Sequence, residues 1–319
     1  MVRGVDGSPF VEPAAWPGQR VLVTGGTGFL ASHLCHRLVE AGAEVHATSR
    51  RVQPDGRGAI RWWNTSLSSA DEVRSLFKTV QPSVVYHLAG AVGAKPDMHL
   101  VLPTFESLLA STVYVLIASA EERCRRVILS GSLTEPCPQG LSPTPSSPYA
   151  AAKWASSAYG RMFHALYHVP VVVAVPFMTF GPNQESGKLI PSVILSLLKG
   201  EAPRLSSGLW EADWIYVGDV IQGLLDAAIV PGIEGATIEL GSGTKSTVRE
   251  IVERIVALSG STLNPVFGAV PDRPGEPIRI ADTVETRRLL GWTPKTSISD
   301  GLRQTIEWYT TQRSGGPLR

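Results

Sequence analysis

The chain has 319 residues, enough for a substantial core and for one large α/β unit or two lobes. Its net charge is +1 and both signs are interspersed, so the sequence does not indicate the basic face of a nucleic-acid-binding protein, and no nucleic-acid partner is predicted. The three cysteines, Cys35, Cys124 and Cys137, lack metal-ligand spacing, and their odd number argues against a disulfide framework. No metal site is predicted, and Cys35 is expected to pack within the first helix.

Residues 1–19 are rich in Pro and Gly and lack the long apolar core of a signal peptide, so we expect a flexible leader. No apolar run reaches the roughly 18–20 residues needed to span a bilayer. These features predict a cytoplasmic protein without a membrane partner.

Residues 20–38 predict a buried strand that runs directly into a helix. The continuous apolar run 21–23 is typical of a central parallel strand. Leu30, Leu34 and Leu38 recur at helical spacing, so one apolar face of the helix is expected to pack on the sheet.

The turn between them contains the spacing Gly25-x-x-Gly28-x-x-Ala31, which has the form of the short-chain dehydrogenase fingerprint. Glycine suits this turn because the backbone must bend tightly and let a phosphate approach closely. The free N–H groups and the positive dipole end of the helix suit a pyrophosphate. The alternative is a purely structural strand-to-helix turn.

A second strand is predicted at 43–48, and its end is expected to meet the adenosine ribose of a dinucleotide. NAD sites usually place an acid there, but this chain has Ser49, Arg50 and Arg51. A guanidinium can pair with a 2′-phosphate through two hydrogen bonds, so this sequence favours NADP (NADPH) over NAD. The alternative is that both arginines are simply solvated.

Alternating elements follow, with strands predicted at 60–64, 83–88, 126–130 and 171–175 and helices at 70–80, 106–120 and 148–168. This alternation predicts an α/β fold with a Rossmann-type doubly wound parallel sheet, whose ligands lie beyond the carboxyl ends of the strands. Beyond Pro176, helices are predicted at 188–199, 219–228, 247–259, 284–290 and 299–310, with strands at 214–217 and 237–240. We expect a dinucleotide-binding domain at 20–176, to which 211–241 returns, and a smaller substrate-binding lobe at 177–210 and 242–319.

A candidate catalytic set follows the fifth strand: Ser132, then Tyr149 and Lys153 four residues apart on one helix face. A phenol with an ordinary pKa near 10 becomes a better acid beside a lysine ammonium and a bound nicotinamide cation. Tyr149 is then the proton donor or acceptor at a carbonyl oxygen, Ser132 orients that oxygen, and Lys153 also binds the nicotinamide ribose. A solvated Tyr–Lys pair is the usual alternative for the bare spacing.

Together with the glycine turn, these residues resemble an extended short-chain dehydrogenase/reductase of the nucleotide-sugar epimerase/dehydratase/reductase family. The resemblance covers nearly all of the chain. Its further motifs are His87-Leu88-Ala89-Gly90, Phe180-Gly181-Pro182, Asp213-Trp214-Ile215-Tyr216-Val217, Arg273-Pro274-Gly275-Glu276 and the segment 287–292.

The resemblance implies two sets of binding residues. Those implied for the cofactor are Gly25, Thr27, Gly28, Phe29, Leu30, Ser49, Arg50, Arg51, Ser66, Leu67, Leu88, Ala89, Gly90, Ser130, Tyr149, Lys153, Pro176 and Met178. Those implied for the substrate are Ser132, Leu133, Thr134, Thr179, Lys188, Leu189, Arg204 and Arg273, of which Lys188, Leu189 and Arg273 match residues that contact the nucleotide diphosphate.

The chain departs from the family's pattern at informative positions. The 4,6-dehydratases carry Asp-Glu directly after the serine or threonine, where this chain has Leu133 and Thr134. The usual arginine before Asp213 is Ala212, a lost phosphate ligand for which Arg204 is the available substitute.

Two further departures concern the cofactor. Met178 replaces an asparagine, and Ser66 replaces the acid that usually meets adenine.

The sequence therefore predicts an NADPH-dependent reductase of a nucleotide-linked keto-sugar, specifically an NDP-4-keto-6-deoxyhexose 4-ketoreductase of deoxysugar biosynthesis. The alternatives are an NDP-hexose 4-epimerase with tightly bound NAD, a reductase of a non-nucleotide carbonyl compound, and a cofactor-binding regulator without catalysis. Helices 106–120 and 148–168 resemble the family's dimer interface, which predicts a homodimer.

Overall fold

A computed structural model of the protein describes residues 16–53, 58–91, 93, 95–136, 143–272 and 278–314. The chain divides into two compact units. The first unit takes the described residues up to Pro176, together with Ile221–Glu239 and Glu285–Trp292. The second takes Phe177–Val220, Leu240–Val284 and the described residues from Thr293 onward.

The strands in chain order are β1 (Arg20–Thr24), β2 (Glu44–Thr48), β3 (Ile60–Trp63), β4 (Val84–His87), β5 (Arg126–Ser130), β6 (Val171–Pro176), β7 (Met178–Phe180), β8 (Glu211–Ala212), β9 (Trp214–Tyr216), β10 (Thr237–Leu240) and β11 (Ser246–Thr247). The helices are α1 (Phe29–Glu40), α2 (Ala70–Val80), α3 (Val101–Thr104), α4 (Ser111–Glu121), α5 (Pro148–Tyr167), α6 (Leu189–Lys199), α7 (Val217–Ile229), α8 (Val248–Ser259), α9 (Thr283–Leu290) and α10 (Ile298–Ser314). A 3-10 turn, Met98–Leu100, precedes α3, and a π-helical segment, Phe105–Ala110, joins α3 to α4.

A seven-stranded sheet has the order β10-β6-β5-β4-β1-β2-β3, which confirms the predicted Rossmann-type α/β fold. β1 lies at its centre and pairs in parallel with both β2 and β4, so that Val21 faces Val45 on one side and Val84 on the other. All three valines are fully buried, as expected of strands covered on both faces. Because the strands run in parallel, the ends of β1, β2, β4 and β5 meet at one edge.

The helix that carries Tyr149 and Lys153 has well-defined ends. The Ser147 hydroxyl accepts a hydrogen bond from the Ala150 N–H, and Pro148 occupies the first turn, where its missing N–H costs nothing. α5 ends at Tyr167, and the C-cap residue His168 adopts the left-handed conformation with φ of 57°.

The helical stretch before β5 begins earlier than predicted, at Met98 instead of residue 106. Pro103 lies in the short helix α3, within the first turns of this stretch, where proline is tolerated. α4 then buries Val115, Leu116 and Ala118 within the first unit.

Among the described residues, one helical stretch, Met98–Glu121, is long and apolar enough to cross a membrane by length and composition alone. No apolar run of this length is predicted from the sequence, and the helix reaches it because it begins at Met98, eight residues before the predicted start. A single stretch of this kind is weak evidence, since core helices of soluble proteins pass the same test.

The core of the second unit is formed by α6, α8 and α10. Ile190, Ile194, Ile251, Ile255 and Leu302 are among its buried residues. α8 begins with a capping box, in which the Thr247 hydroxyl accepts from the Glu250 N–H and the Glu250 carboxylate accepts from the Thr247 N–H.

Two of the cysteines are buried free thiols, Cys35 in α1 and Cys124 before β5. Burial raises the pKa of each thiol to about 12, so both are poor nucleophiles. Cys137 lies outside the described residues, as do residues 1–15 of the predicted leader.

Candidate active site

The glycine turn joins the ends of three strands. Gly25 has φ of +69°, and a Cβ added there would lie 2.8 Å from the Ala89 Cα, which follows β4. The Gly25 N–H donates to the Thr48 hydroxyl at 3.0 Å, and the Gly26 N–H donates to the Thr48 carbonyl at 2.8 Å, at the end of β2. Both the conformation and the close approach therefore require glycine at position 25.

The first turn of α1 is open to an anion. Gly28 is the N-cap residue, makes no side-chain cap hydrogen bond, and is followed by no acid in the first turn. Such a helix N-terminus presents unpaired N–H groups and a partial positive charge. Thr27, Phe29 and Leu30 surround it, each exposed or half-buried, so the turn has the form that a dinucleotide pyrophosphate needs.

A buried hydrogen-bond network links the glycine turn to the end of β4. The N–H groups of Leu88 and Ala89 both donate to the Thr24 hydroxyl oxygen at 3.1 Å. That hydroxyl lies 2.9 Å from Nδ1 of His87, and the Ser111 hydroxyl lies 3.4 Å from Nε2. Because Thr24 accepts two N–H groups, its proton is left to donate to Nδ1, so a neutral ring carries its proton on Nε2.

Gly90 completes this strand end, because a Cβ there would fall 2.1 Å from Leu108 Cδ2. Its φ of +154° is also one that side chains rarely adopt.

In the segment after β2, the serine is buried and the two arginines are exposed. Ser49 is buried, and its hydroxyl accepts from the Arg51 N–H and from Gln53 Nε2, both at 3.2 Å. Arg50 and Arg51 are exposed, and neither forms an ion pair with any described residue. Two guanidinium groups are thus available at the strand end where a ribose 2′-substituent is expected.

The residues predicted near adenine lie after β3. Ser66 is exposed and its N–H donates to the Glu72 carboxylate at 2.8 Å, while Leu67 is half-buried. Ser66 therefore offers a hydroxyl but no charge at this position.

Ser132, Tyr149 and Lys153 lie at the end of β5, where Tyr149 hydrogen-bonds Ser132 and Lys153 hydrogen-bonds a strand-end carbonyl. Lys153 Nζ donates to the Ser130 carbonyl at 2.7 Å, which ties α5 to the strand end. The Ser132 hydroxyl lies 2.9 Å from the Thr134 hydroxyl, accepts from the Thr134 N–H at 3.2 Å, and hydrogen-bonds the Tyr149 phenol.

The electrostatics of this set differ from the sequence expectation in one respect. Burial raises the pKa of the Tyr149 phenol, the Ser132 hydrogen bond partly opposes this, and Lys153 is not among the causes. Burial also lowers the pKa of Lys153 to about 8. In the protein without its cofactor, Lys153 therefore does not lower the pKa of Tyr149, and burial raises it.

Sequence reasoning missed Glu135, whose carboxylate approaches the same group of residues. Its Oε1 accepts from the Ser132 N–H at 2.7 Å and from the Ser157 hydroxyl at 2.9 Å. The available signal was an acid three residues after the serine. No strand or helix is predicted between residues 130 and 148, so the sequence does not indicate where the Glu135 side chain lies.

Residues predicted to bind substrate or cofactor also occur in the second unit. Met178 and Thr179 lie on β7, Lys188 is exposed immediately before α6, and Leu189 is its first residue. Arg204 is exposed and forms no ion pair with a described residue. Arg273 lies outside the described residues, whereas Leu133 is half-buried in the turn after Ser132 in the first unit.

Asp213, which follows Ala212 where the family usually has an arginine, is buried and accepts hydrogen bonds from the backbone and from a serine. Its carboxylate accepts from the N–H and hydroxyl of Ser242 at 2.7 Å, and from the N–H groups of Gly243 and Ala281 at 3.0 Å. Ala212 is buried in β8, so it leaves no polar group where the family carries its arginine.

Within the described part of the chain, no three or more His, Cys, Asp and Glu side chains are grouped to hold a metal ion. The glycine turn, the open helix N-terminus and the Ser/Tyr/Lys set instead define an oxidoreductase of the short-chain dehydrogenase/reductase type. The sequence model of the NAD dependent epimerase/dehydratase family matches residues 21–233. The chain belongs to this family, among the extended short-chain dehydrogenases/reductases.

Similar proteins cover nearly the whole chain. A dTDP-glucose 4,6-dehydratase of Neisseria gonorrhoeae is 27% identical over 340 residues, covering 93% of this chain and 97% of that protein. The UDP-glucose 4-epimerase of Thermotoga maritima, solved with UDP-glucose, has a TM-score of 0.82 at 24% identity and covers 92% of this chain and 99% of its own. The Bordetella bronchiseptica enzyme WbmF, solved with NAD+ and UDP, has a TM-score of 0.81 at 26% identity and covers 94% of each chain.

We predict that the buried His87 lowers the free energy of unfolding in acid. Burial and the nearby Lys153 charge lower its pKa from 6.5 to about 3, so the unfolded chain binds a proton at a pH where the folded protein does not. Stability is therefore lost as the pH falls from 6.5 towards 3, by about 2 kcal/mol from this residue between pH 7 and pH 5. Urea unfolding at both pH values should show a steeper loss for the wild type than for His87→Asn, whose amide oxygen can still accept from Thr24. Equal losses would show that His87 does not carry this dependence.

Proposed function

We propose that this enzyme reduces a nucleotide-linked keto-sugar with NADPH, most specifically as an NDP-4-keto-6-deoxyhexose 4-ketoreductase. The observation that carries the proposal is that Ser132, Tyr149 and Lys153 lie together at the end of β5, in the same unit as Arg50 and Arg51, which form no ion pair with a described residue. The first unit is then the cofactor-binding domain, and the second supplies the remaining substrate contacts.

Each member of the set has a defined role in this proposal. When bound, the nicotinamide supplies the hydride. Tyr149 donates the proton to the carbonyl oxygen, and Ser132, which hydrogen-bonds Tyr149, positions that oxygen. Lys153, held by the Ser130 carbonyl, binds the ribose and its ammonium stabilises the phenolate left after proton transfer.

The proposal separates this chain from the dehydratases that it resembles. Leu133 and Thr134 stand where those enzymes carry Asp-Glu, so the acid and base of dehydration are missing. Glu135 is the next acid along the chain, but its Oε1 already accepts from Ser132 and Ser157. A carboxylate held in this way is a poor substitute for a mobile acid or base.

Two alternatives have specific support. WbmF was solved with NAD+ and UDP, which supports NAD as the cofactor, as the alternative of an NDP-hexose 4-epimerase with tightly bound NAD requires. Ala212 removes a phosphate ligand, which supports a non-nucleotide carbonyl substrate. A regulator without catalysis is disfavoured because Ser132, Tyr149 and Lys153 are all present at the end of β5.

We also propose that the enzyme is a homodimer. The helical stretch from Met98 and α5 pack against each other and leave large apolar side chains exposed. Met98 is 82% exposed, Leu102 68%, Phe105 50% and Leu166 63%, which is more apolar surface than single scattered residues would give.

The activity is tested by following NADPH oxidation with a dTDP- or UDP-linked 4-keto-6-deoxyhexose. We expect turnover by the wild type and a loss of about 100-fold or more in kcat for Tyr149→Phe, which lacks the proton donor. Interconversion of UDP-glucose and UDP-galactose without added cofactor, with no reduction of the keto-sugar, would favour the epimerase instead.

The cofactor preference is tested on the arginines after β2. The double variant Arg50→Ala/Arg51→Ala should weaken NADPH binding about ten-fold or more and leave NADH binding unchanged, because hydrogen bonds to a charged phosphate are lost. Arg61→Ala, on β3, is the matched control because Arg61 is exposed and pairs with Glu44. Calorimetric titration of both variants gives the two affinities, and equal NADPH binding by wild type and double variant would contradict the assignment.

A further inference from the structure

Glu135 joins the turn that carries Ser132 to the helix that carries Tyr149 and Lys153. One oxygen of its carboxylate, Oε1, accepts both the Ser132 N–H at 2.7 Å and the Ser157 hydroxyl at 2.9 Å. Ser157 lies on α5 four residues after Lys153 and eight after Tyr149, on the same helix face. The Glu135 N–H also donates to the Ser132 carbonyl at 3.1 Å, so the turn is closed from both sides.

The backbone before Ser132 packs closely against the Glu135 carboxylate. A Cβ added at Gly131 would lie 3.0 Å from Glu135 Oε1 and 2.9 Å from Val175 Cγ2. The carboxylate is therefore tucked against the backbone before Ser132, where no larger residue than glycine fits without displacement.

The Glu135 carboxylate also places a negative charge near Tyr149 and Lys153. Its charged neighbours are Lys153 and Arg161 on α5, and the phenol that it faces is Tyr149 on the same helix. The Glu135 charge raises the pKa of Lys153, which favours the ammonium, and raises the pKa of Tyr149, which favours the neutral phenol. Burial raises the pKa of Glu135 itself, whereas its hydrogen bonds and the two cations oppose this.

We propose that Glu135 is a positioning residue, which fixes the Ser132 hydroxyl relative to α5 and holds a negative charge beside Lys153 and Tyr149. Two effects are combined in one side chain. The hydrogen bonds set the geometry of Ser132, and the charge keeps the lysine protonated and the phenol able to donate. The inference rests on the proposed roles of Ser132, Tyr149 and Lys153.

The two effects are separated by two substitutions. Glu135→Gln keeps the shape and an acceptor oxygen but removes the charge, whereas Glu135→Leu removes both. Ser157→Ala removes only the bond to the helix and keeps the charge, and serves if the leucine variant does not fold. Glu40→Gln, at an exposed acid at the end of α1, is the matched control for a changed charge elsewhere.

The measurements need no sugar substrate. Hydrogen exchange of the Ser132 amide reports the geometry, and tyrosinate absorbance of each protein minus its Tyr149→Phe counterpart, with NADP present, reports the Tyr149 pKa. We expect exchange at Ser132 to be faster by about ten-fold in Glu135→Leu, or by a few-fold in Ser157→Ala, and unchanged in Glu135→Gln. We expect the Tyr149 pKa to fall by about half a unit or more in Glu135→Gln and to stay constant in Glu40→Gln.

Unchanged Ser132 exchange in Glu135→Leu, or in Ser157→Ala if the former does not fold, would overturn the geometric role. An unchanged Tyr149 pKa in Glu135→Gln would overturn the electrostatic one. Both shifts together with no reduction of keto-sugars would leave Glu135 as assigned and reject the proposed substrate.

Discussion

The structure of the first unit depends on a close approach at the edge of the parallel sheet, where the glycine turn after β1 lies against the end of β4. Gly25 and Ala89 come so near each other that no side chain fits at position 25. The Thr24 hydroxyl fixes this approach because it accepts the two N–H groups after β4 and donates to His87. The turn is thereby held rigidly enough to present the N-terminus of α1 to a pyrophosphate.

The same edge determines the charges of the site. His87 is buried, and burial together with the Lys153 charge lowers its pKa and keeps the ring neutral. Lys153 is therefore not accompanied by a charged His87. Lys153 is buried beside the end of β5, where its ammonium depends on the Ser130 carbonyl and on the Glu135 carboxylate. A buried cation of this kind is costly unless it is paired, so the pairing and the chemistry depend on each other.

Much of the fold could be predicted from the sequence, because apolar periodicity reports which faces are buried. The run 21–23, the leucines of α1 and the spacing of Tyr149 and Lys153 all gave elements that the structure contains. The early start of the helix at Met98 was not predicted, and the structure accommodates Pro103 there because proline fits the first turns of a helix.

The role of Glu135 could not be read from the sequence for a different reason. Its partners are Ser132, three residues away, and Ser157, twenty-two residues away, and their meeting depends on how α5 packs beside β5. The raised pKa of Tyr149 in the protein without its cofactor could not be read from the sequence for a related reason. Burial is a property of the folded site, whereas spacing reports only which residues share a face.

The proposal that the enzyme uses NADPH as an exchangeable reductant is best tested by native mass spectrometry of the purified protein, followed by titration with NADPH and NADH. We expect a protein that retains no dinucleotide, binds NADPH well and binds NADH poorly. Tightly retained NAD with poor NADPH binding would contradict it and identify an enzyme that recycles its cofactor, as an epimerase does.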